Sequence, residues 1–300
     1  MKCGVIDIGS NSMRLSVYQV QDQKFETIFK EKLMSGLANY VEDGLLTEAG
    51  IHRACSDLDA FQSILRALEI SDISVIATAS LRNVSNANEA AKAIQERTGL
   101  ELEVITGYNE ALYGYRGAMY ELSEQDGMFV DIGGASTEIV SFKSGDILSA
   151  NSYPVGSLKL YRDCVRRILP GKKSLTRIEE RINGELERMR VENPVSGKTL
   201  VCVGGTARAS LSLSHALEAQ ESGENRLTLQ SLQSIKKFLM RGDDAAIDLI
   251  LKNVPDRVHT IVPGICLLAG IAEAFRMSEI AVSRYGVREG YLCQKLHKMK

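Results

Sequence analysis

Two short stretches hold the residue types best suited to chemistry. Asp7-Ile8-Gly9-Ser10-Asn11-Ser12 and Asp131-Ile132-Gly133-Gly134-Ala135-Ser136-Thr137 each lie between apolar runs. Glycine lets successive main-chain N–H groups converge, and serine or threonine hydroxyls add donors. Such a nest takes phosphate oxygens. The leading aspartates, Asp7 and Asp131, are hard oxygen ligands suited to Mg2+, directly or through water. A plain hairpin turn uses the same residues, but two copies in one chain argue for a shared ligand. A third glycine turn, Gly204-Gly205-Thr206, follows the apolar run Thr199–Val203 and opens a helix. The N-terminus of such a helix attracts anions; Thr206 equally fits a helix cap.

These turns need strands and helices to place them. Apolar runs predict strands over Cys3–Ile8, Met13–Val20 and Lys24–Leu33. A helix opens at Thr47, with Ile51, Ala54, Leu58, Phe61 and Leu65 at helical spacing. Strand Ile73–Ala77, helix Asn86–Thr98, strand Leu102–Ile105 and helix Glu110–Met119 complete the order βββαβαβα. The order then restarts with strands Met128–Asp131, Thr137–Phe142 and Ile147–Tyr153. Helices follow at Lys159–Leu169 and Leu175–Arg190, then strand Thr199–Val203 and helix Ala207–Leu217. Helices Leu229–Leu239, Asp243–Leu251 and Ile261–Phe275, strand Ile280–Ser283 and helix Val287–Leu296 close the chain. Laid over each other, the two glycine stretches match at Asp7/Asp131, Ile8/Ile132, Gly9/Gly133 and Ser12/Ser136. This internal duplication predicts an α/β protein of two similar domains, 1–122 and 123–300, with a cleft between them.

Composition narrows the classes. The 300 residues are 44% hydrophobic and 25% charged, with a net charge of −2, which excludes disorder and fibrous folds. No overall basic excess marks a duplex nucleic-acid binder. No apolar run approaches the ~20 residues of a membrane span. Met1-Lys2 leads straight into a strand without a signal region, so the expected compartment is the cytoplasm. The six cysteines are scattered with no C-x-x-C pair, as in a reduced protein without a zinc or dithiol centre. Charge is uneven: residues 1–122 hold 11 basic and 17 acidic residues, residues 123–300 hold 25 and 21. Between 156 and 190 there are ten basic residues against five acidic. A solvated helix face explains such a run, and so does a surface for a long polyanion.

The glycine stretches resemble the phosphate loops of the actin-like ATPase superfamily. More closely, the chain resembles the exopolyphosphatase/guanosine pentaphosphate phosphohydrolase (Ppx/GppA) family. Asp7–Ser12 fits the opening motif. Ala77-Thr78-Ala79-Ser80-Leu81-Arg82-Asn83 fits a second segment, and Ile105-Thr106-Gly107-Tyr108-Asn109-Glu110-Ala111 fits the one that carries the catalytic glutamate. Asp131–Glu138 fits the second phosphate loop; Ile261–Gly264 and Val282–Gly290 match two more segments. The resemblance implies two actin-like (ribonuclease H-like) domains with mixed sheets flanked by helices and an interdomain active site. It also implies a divalent cation, Mg2+ or another, and Glu110 as the base. Three departures stand out. Asn109-Glu110-Ala111 stands where Glu-Glu-Ala is usual, with Glu110 matching the catalytic position. The third glycine of the second loop is Ala135, whose methyl is expected to crowd or strain the loop. Leu33-Met34-Ser35-Gly36-Leu37-Ala38-Asn39 replaces a more usual Leu-Gly-Glu-Gly pattern.

Each candidate has a plainer reading beside it. Glu110 is a general base, or a first-turn glutamate favoured by the helix dipole. Glu138 orients metal or water as a second catalytic carboxylate, or faces solvent from an alternating strand. Arg82 grips a phosphate chain bidentately, or is a surface arginine. Arg14 and Arg257 are weaker candidates, and the tyrosines at 108, 113, 115 and 120 read as helix packing rather than base stacking. Substrate contacts are expected from Gly9, Ser10, Asn11, Ser12, Arg82, Gly133, Gly134, Ala135, Ser136, Thr137, Gly204, Gly205 and Thr206, and metal contacts from Asp7 and Asp131. The preferred function is release of terminal orthophosphate from inorganic polyphosphate. Alternatives are removal of the 5′ γ-phosphate of guanosine pentaphosphate, a sugar or acetate kinase, and a phosphate-binding regulator without turnover. A homodimer is compatible with the sequence.

Overall fold

The computed structural model describes residues 1–22, 24–195, 197–218 and 225–298. Contacts divide the chain into two units, Met1–Glu110 with Tyr291–Lys300, and Ala111–Gly290.

The first unit is built on β1 (Lys2–Ile8), β2 (Met13–Gln21), β3 (Lys24–Leu33), a small hairpin of β4 (Val41–Glu42) and β5 (Leu45–Leu46), β6 (Ile73–Ala77) and β7 (Leu102–Val104). The main sheet runs β3-β2-β1-β6-β7; β1 is antiparallel to β2 and parallel to β6. Its helices are α1 (Glu48–Ala67), the single turn α2 (Ala79–Arg82) and α3 (Ala87–Thr98). Alternate β1 and β2 residues Ile6, Ile8, Leu15 and Val17 form a core with Ile51, Ala54, Leu58, Phe61 and Leu65 of α1, so strand and helix periods meet on one layer. Thr47 caps α1 by accepting from the Gly50 N–H at 3.3 Å.

Helix α4 (Gly107–Glu121) leads into the second unit. Its strands are β8 (Gly127–Ile132), β9 (Thr137–Lys143), β10 (Asp146–Tyr153), β11 (Thr199–Val203), β12 (Arg226–Thr228) and β13 (Glu279–Val282). The sheet order is β10-β9-β8-β11-β13-β12. Without the edge strand β12, it repeats the first sheet strand for strand, which confirms the duplication. The helices are α5 (Ser157–Cys164), α6 (Lys172–Glu192), α7 (Gly204–Glu218), α8 (Leu229–Leu239), α9 (Asp244–Asn253), α10 (Ile261–Ala274) and α11 (Val287–Lys298). This sheet is buried on both faces. Met128, Val130, Ile132, Leu200 and Cys202 meet the apolar residues of α6, α7, α8 and α10. Phe129, Val140, Phe142, Val201 and Val203 meet Ala111, Tyr115 and Ala118 of α4.

That second cluster explains why the division falls after Glu110 and not at the expected 122. α4 is one continuous helix, and beyond Glu110 its apolar side belongs to the second core. The last part of α11 returns to the first unit, where Tyr291 donates to Glu103 and the Lys295 ammonium donates to Asp72 and Ser74. Where α4 and α11 cross, only glycine fits: a Cβ on Gly117 would lie 2.8 Å from the Gly286 carbonyl carbon and 2.9 Å from Gly290 N.

Other departures are local. The helix expected over Lys159–Leu169 stops at Cys164; Val165 is extended, and the Tyr161 hydroxyl donates to the Arg167 carbonyl and fixes the loop. α2 and β12 escape the periodicity because each is four residues or fewer. The six cysteines form no disulfide among the described residues. Burial pushes the Cys3 and Cys266 thiols up to about 11.

Candidate functional site

Both glycine stretches fold as the same tight turn. Gly9 donates to the Ser12 carbonyl at 3.2 Å, and Gly133 donates to the Ser136 carbonyl at 2.9 Å. Each turn is then fastened from outside through its carbonyls. In loop one, Asn11 O accepts from Gly36 at 3.0 Å and Ser10 O from Ala38 at 2.9 Å. In loop two, Gly133 O accepts from Ser157 at 3.0 Å, and Gly134 O from Leu158 and Lys159 at 3.0 and 2.9 Å. The Ser157 hydroxyl also donates to Gly133 O at 3.1 Å, and the Thr137 hydroxyl to Val155 O at 2.6 Å. The main-chain N–H groups of Ser10, Asn11, Ser12, Gly134, Ala135 and Ser136 donate to no acceptor among the described residues. With carbonyls engaged and amides open, each turn is an anion nest.

Ala135 is not among the residues with positive φ, so the loop accepts a methyl there without the backbone strain expected from the sequence. The tight glycine is elsewhere. A Cβ on Gly156 would lie 2.6 Å from Gly134 O and 2.8 Å from Ala135 N.

In the first unit, loop one is tied to Glu110 through a short relay. Ile8, the second residue of the loop-one stretch, offers its carbonyl to the Ser80 hydroxyl and to the Thr78 N–H. Ser80 and Arg82 share the single turn α2. Arg82 Nη1 donates to Glu110 Oε2 at 2.6 Å and to Ile105 O at 3.3 Å. Glu110, in the first turn of α4, is 7% exposed. Arg82, expected to contact substrate, also pairs with a buried carboxylate. The ionised form that accepts from a guanidinium is also the form a general base needs.

The two hairpins differ in charge. Asp7 faces Arg14 across β1–β2, whereas Asp131 faces Glu138 across β8–β9. Directly opposed residues share a face of the sheet, and like charges there repel. Glu138 is 1% exposed and accepts from the Ser152 hydroxyl at 2.7 Å. Asp131 Oδ1 lies against Gly204, whose φ of +83° and missing Cβ make room for it. The negative charge of Asp131 adds to burial in pushing the Cys202 thiol far up. A pair of hard, opposed carboxylates fits a divalent cation; Asp7, facing an arginine, fits one less well. No group of three or more His, Cys, Asp or Glu that could hold a metal occurs among the described residues. A cation at Asp131 and Glu138 would complete its shell with water or substrate oxygens.

The third turn also has the features of an anion seat. α7 starts at Gly204, so Thr206 lies inside its first turn and is not its cap. The guanidinium of Arg257, from the turn before α10, lies against Gly205 where any side chain would displace it. Burial pulls Arg257 below the ordinary arginine value, only partly offset by Asp256. Its guanidinium has no hydrogen-bond or ion-pair partner among the described residues. A desolvated cation at a helix N-terminus is a seat for an anion. The sequence makes Arg257 a weak candidate. The pairing with Gly205 is a long-range fact that no local motif discloses. Gly264 in turn packs on Thr206 and Ser157, its Cβ position 2.8 Å from Thr206 Cγ2 and 3.3 Å from Ser157 Cβ.

Two turns with open amides on duplicated mixed sheets, with a buried glutamate beside one and opposed carboxylates beside the other, define an α/β protein of actin-like fold whose turns suit phosphoryl oxygens. The chain belongs to the Ppx/GppA phosphatase family, matched over residues 16–299. It is 28% identical over 306 residues to a guanosine-5'-triphosphate,3'-diphosphate pyrophosphatase of Pseudoalteromonas translucida, covering 98% of this chain but 59% of that relative's length. It is 25% identical over 307 residues to exopolyphosphatase 1 of Mycobacterium tuberculosis, covering 99% of this chain and 88% of the relative. The Ppx/GppA family member of Aquifex aeolicus has the same fold, with a TM-score of 0.83 and 26% identity, covering 100% of this chain and 99% of that one. No described helix is long and apolar enough to cross a membrane.

Proposed function

We propose that this protein hydrolyses the terminal phosphoanhydride of inorganic polyphosphate, releasing orthophosphate. The observation that carries the reading is the set of open amides at loops one and two, because those donors suit phosphoryl oxygens and meet no acceptor among the described residues. Glu110, held by Arg82, takes a proton from water. The water oxygen bonds to the terminal phosphorus, and the bridging P–O bond breaks. The electron pair leaves on the shortened chain. Preorganised N–H groups and the Arg257 guanidinium take the negative charge of the transferring group. A divalent cation, Mg2+ by preference, bound by Asp131 and Glu138 would supply further charge neutralisation.

Removal of the terminal phosphate of guanosine pentaphosphate is the second reading, favoured by the Pseudoalteromonas relative. Polyphosphate is preferred because it asks only for spaced cations and donors. Guanine asks for a flat slot, and the chain has no tryptophan and 6% aromatics. Tyr113 and Tyr115 are buried in packing, whereas Tyr108 and Tyr120, expected to pack as well, are exposed because the side of α4 that carries them lies outside the core. The test is phosphate release measured side by side on long-chain polyphosphate, tripolyphosphate and guanosine pentaphosphate with Mg2+. The highest kcat/KM on long-chain polyphosphate supports the reading. A higher value on guanosine pentaphosphate replaces it, and binding without release leaves a regulator.

A further inference from the structure

The basic run that stands out in the sequence follows loop two along the chain, on α5, the loop after it and the first half of α6. α5 begins at loop two through the Ser157, Leu158 and Lys159 amides and leads away from it for about 12 Å, at ~1.5 Å per residue. Arg166 and Arg167 follow in the loop, then Lys172, Lys173, Arg177 and Arg181 on α6, all of them exposed. None of these six has an ion-pair partner among the described residues; α6 instead pairs Arg188 with Glu192, at 2.9 Å near its other end.

The arrangement works against local helix preference. Lys173, Arg177 and Arg181 are spaced i, i+4, i+8, where like charges repel. Lys172 and Lys173 occupy the first turn, where the helix dipole disfavours cations, and Gly171 gives no side-chain cap. The Cys164 thiol is raised by burial and by Asp163 and partly lowered again by Arg177 and Arg181, so both guanidiniums act at the far end of α5. Glu180 at i+3 from Arg177 and Glu185 at i+4 from Arg181 are spaced to pair with them, yet neither forms an ion pair with these arginines among the described residues.

We propose that α5, the 165–171 loop and the first half of α6 bind the distal part of a polyphosphate chain whose terminal phosphate lies at loop two. This rests on the polyphosphate reading above and adds to it a second, length-sensing contact. Charge complementarity selects the occupant: a flexible polyanion with one charge per repeat matches exposed cations outside any ion pair and needs no base or sugar contacts.

The test is the triple variant Lys173→Gln/Arg177→Gln/Arg181→Gln, which keeps good helix formers. KM for long-chain polyphosphate at low salt should rise about tenfold. KM for tripolyphosphate, which ends short of the ridge, should move less than about twofold. The slope of log KM against log salt for the long chain should flatten by about 2, at ~0.7 for each of the three phosphates the native side chains neutralise. Tm should stay level or rise. Equal KM changes on both substrates, no change on the long chain, or a fall in Tm that accounts for the weaker binding would overturn the ridge. Binding of labelled long-chain polyphosphate in EDTA reads the ridge without turnover. A tenfold gap there between the native chain and the variant supports it even if no substrate is hydrolysed, which would sink the hydrolase reading alone. Single-stranded RNA of equal phosphate count competing as well as polyphosphate would overturn the assignment of the occupant.

Discussion

Arg82 Nη1 and Glu110 Oε2 stand 2.6 Å apart, though 28 residues separate them in the chain. The arginine ends a single helical turn fastened under loop one, and the glutamate begins the helix that leaves the first unit. A guanidinium held this way fixes where the carboxylate points, so Glu110 and the loop are positioned by one rigid piece.

Glu110→Gln should therefore bind phosphate compounds normally and lose kcat by about 10²–10⁴. Arg82→Gln should lower kcat as well, by a smaller factor, with Glu110 still present but less well aimed. Phosphate-release kinetics on tripolyphosphate check both; a near-native kcat in Glu110→Gln would remove the base from the mechanism.

The opposed carboxylates Asp131 and Glu138 predict a metal-dependent Tm. Mg2+ should raise Tm by a few degrees, since a ligand at a hundredfold excess over Kd contributes about 2.7 kcal/mol. Glu138→Gln should abolish that response and raise the metal-free Tm, because one of two facing charges is gone. Differential scanning fluorimetry with EDTA and Mg2+ reads both effects. An equal Mg2+ response in the variant would place the cation elsewhere.

Gly205→Ala should act through Arg257. Its methyl occupies the space of the guanidinium, which sits at the end of a flexible side chain and can swing away. The fold should survive while KM for polyphosphate rises. Arg257→Gln should do the same, and the double variant should add little, because both substitutions disturb one and the same anion seat. Additive effects in the double variant would separate the two residues.

Glu121 gives the second unit an acid-sensitive point. Burial alone would raise this carboxyl, but hydrogen bonds from the Ser283 hydroxyl, the Arg284 N–H and the Arg284 guanidinium hold it below the usual value. A carboxyl depressed on folding contributes stability above its unfolded pKa of about 4.5 and loses it as pH falls through the folded value. Tm measured between pH 7 and pH 3 should fall less steeply for Glu121→Gln than for the native chain, from a lower starting point at pH 7. Parallel curves would rule this carboxyl out as a source of acid sensitivity.

Much of this is legible in the sequence. The paired Asp-Ile-Gly stretches disclose the duplication, both turns and the carboxylates that lead them, because a hairpin keeps its determinants within a dozen residues. Strands of alternating apolar residues such as Ile6, Ile8, Leu15 and Val17 disclose the first core for the same reason. The partners of Arg82 and Arg257 escape the sequence because they are distant in the chain. What Arg82 does depends on Glu110, and what Arg257 does depends on the absence of a side chain at Gly205. The division at Glu110 is hidden by an unbroken helical pattern; only the aromatic partners of Tyr115 reveal which core α4 joins.

The return of α11 has a consequence for the order in which the polypeptide is completed on the ribosome. Domains usually fold in the order of their synthesis. Here the second unit is continuous, whereas the first unit is opened by β1 and closed by the last turns of α11. Asp72, Ser74 and Glu103 must wait for Lys295 and Tyr291, which emerge about two hundred residues later. The nascent first unit thus carries Glu110 and loop one in an unfinished body until the second is nearly out, and the half made first is the half finished last.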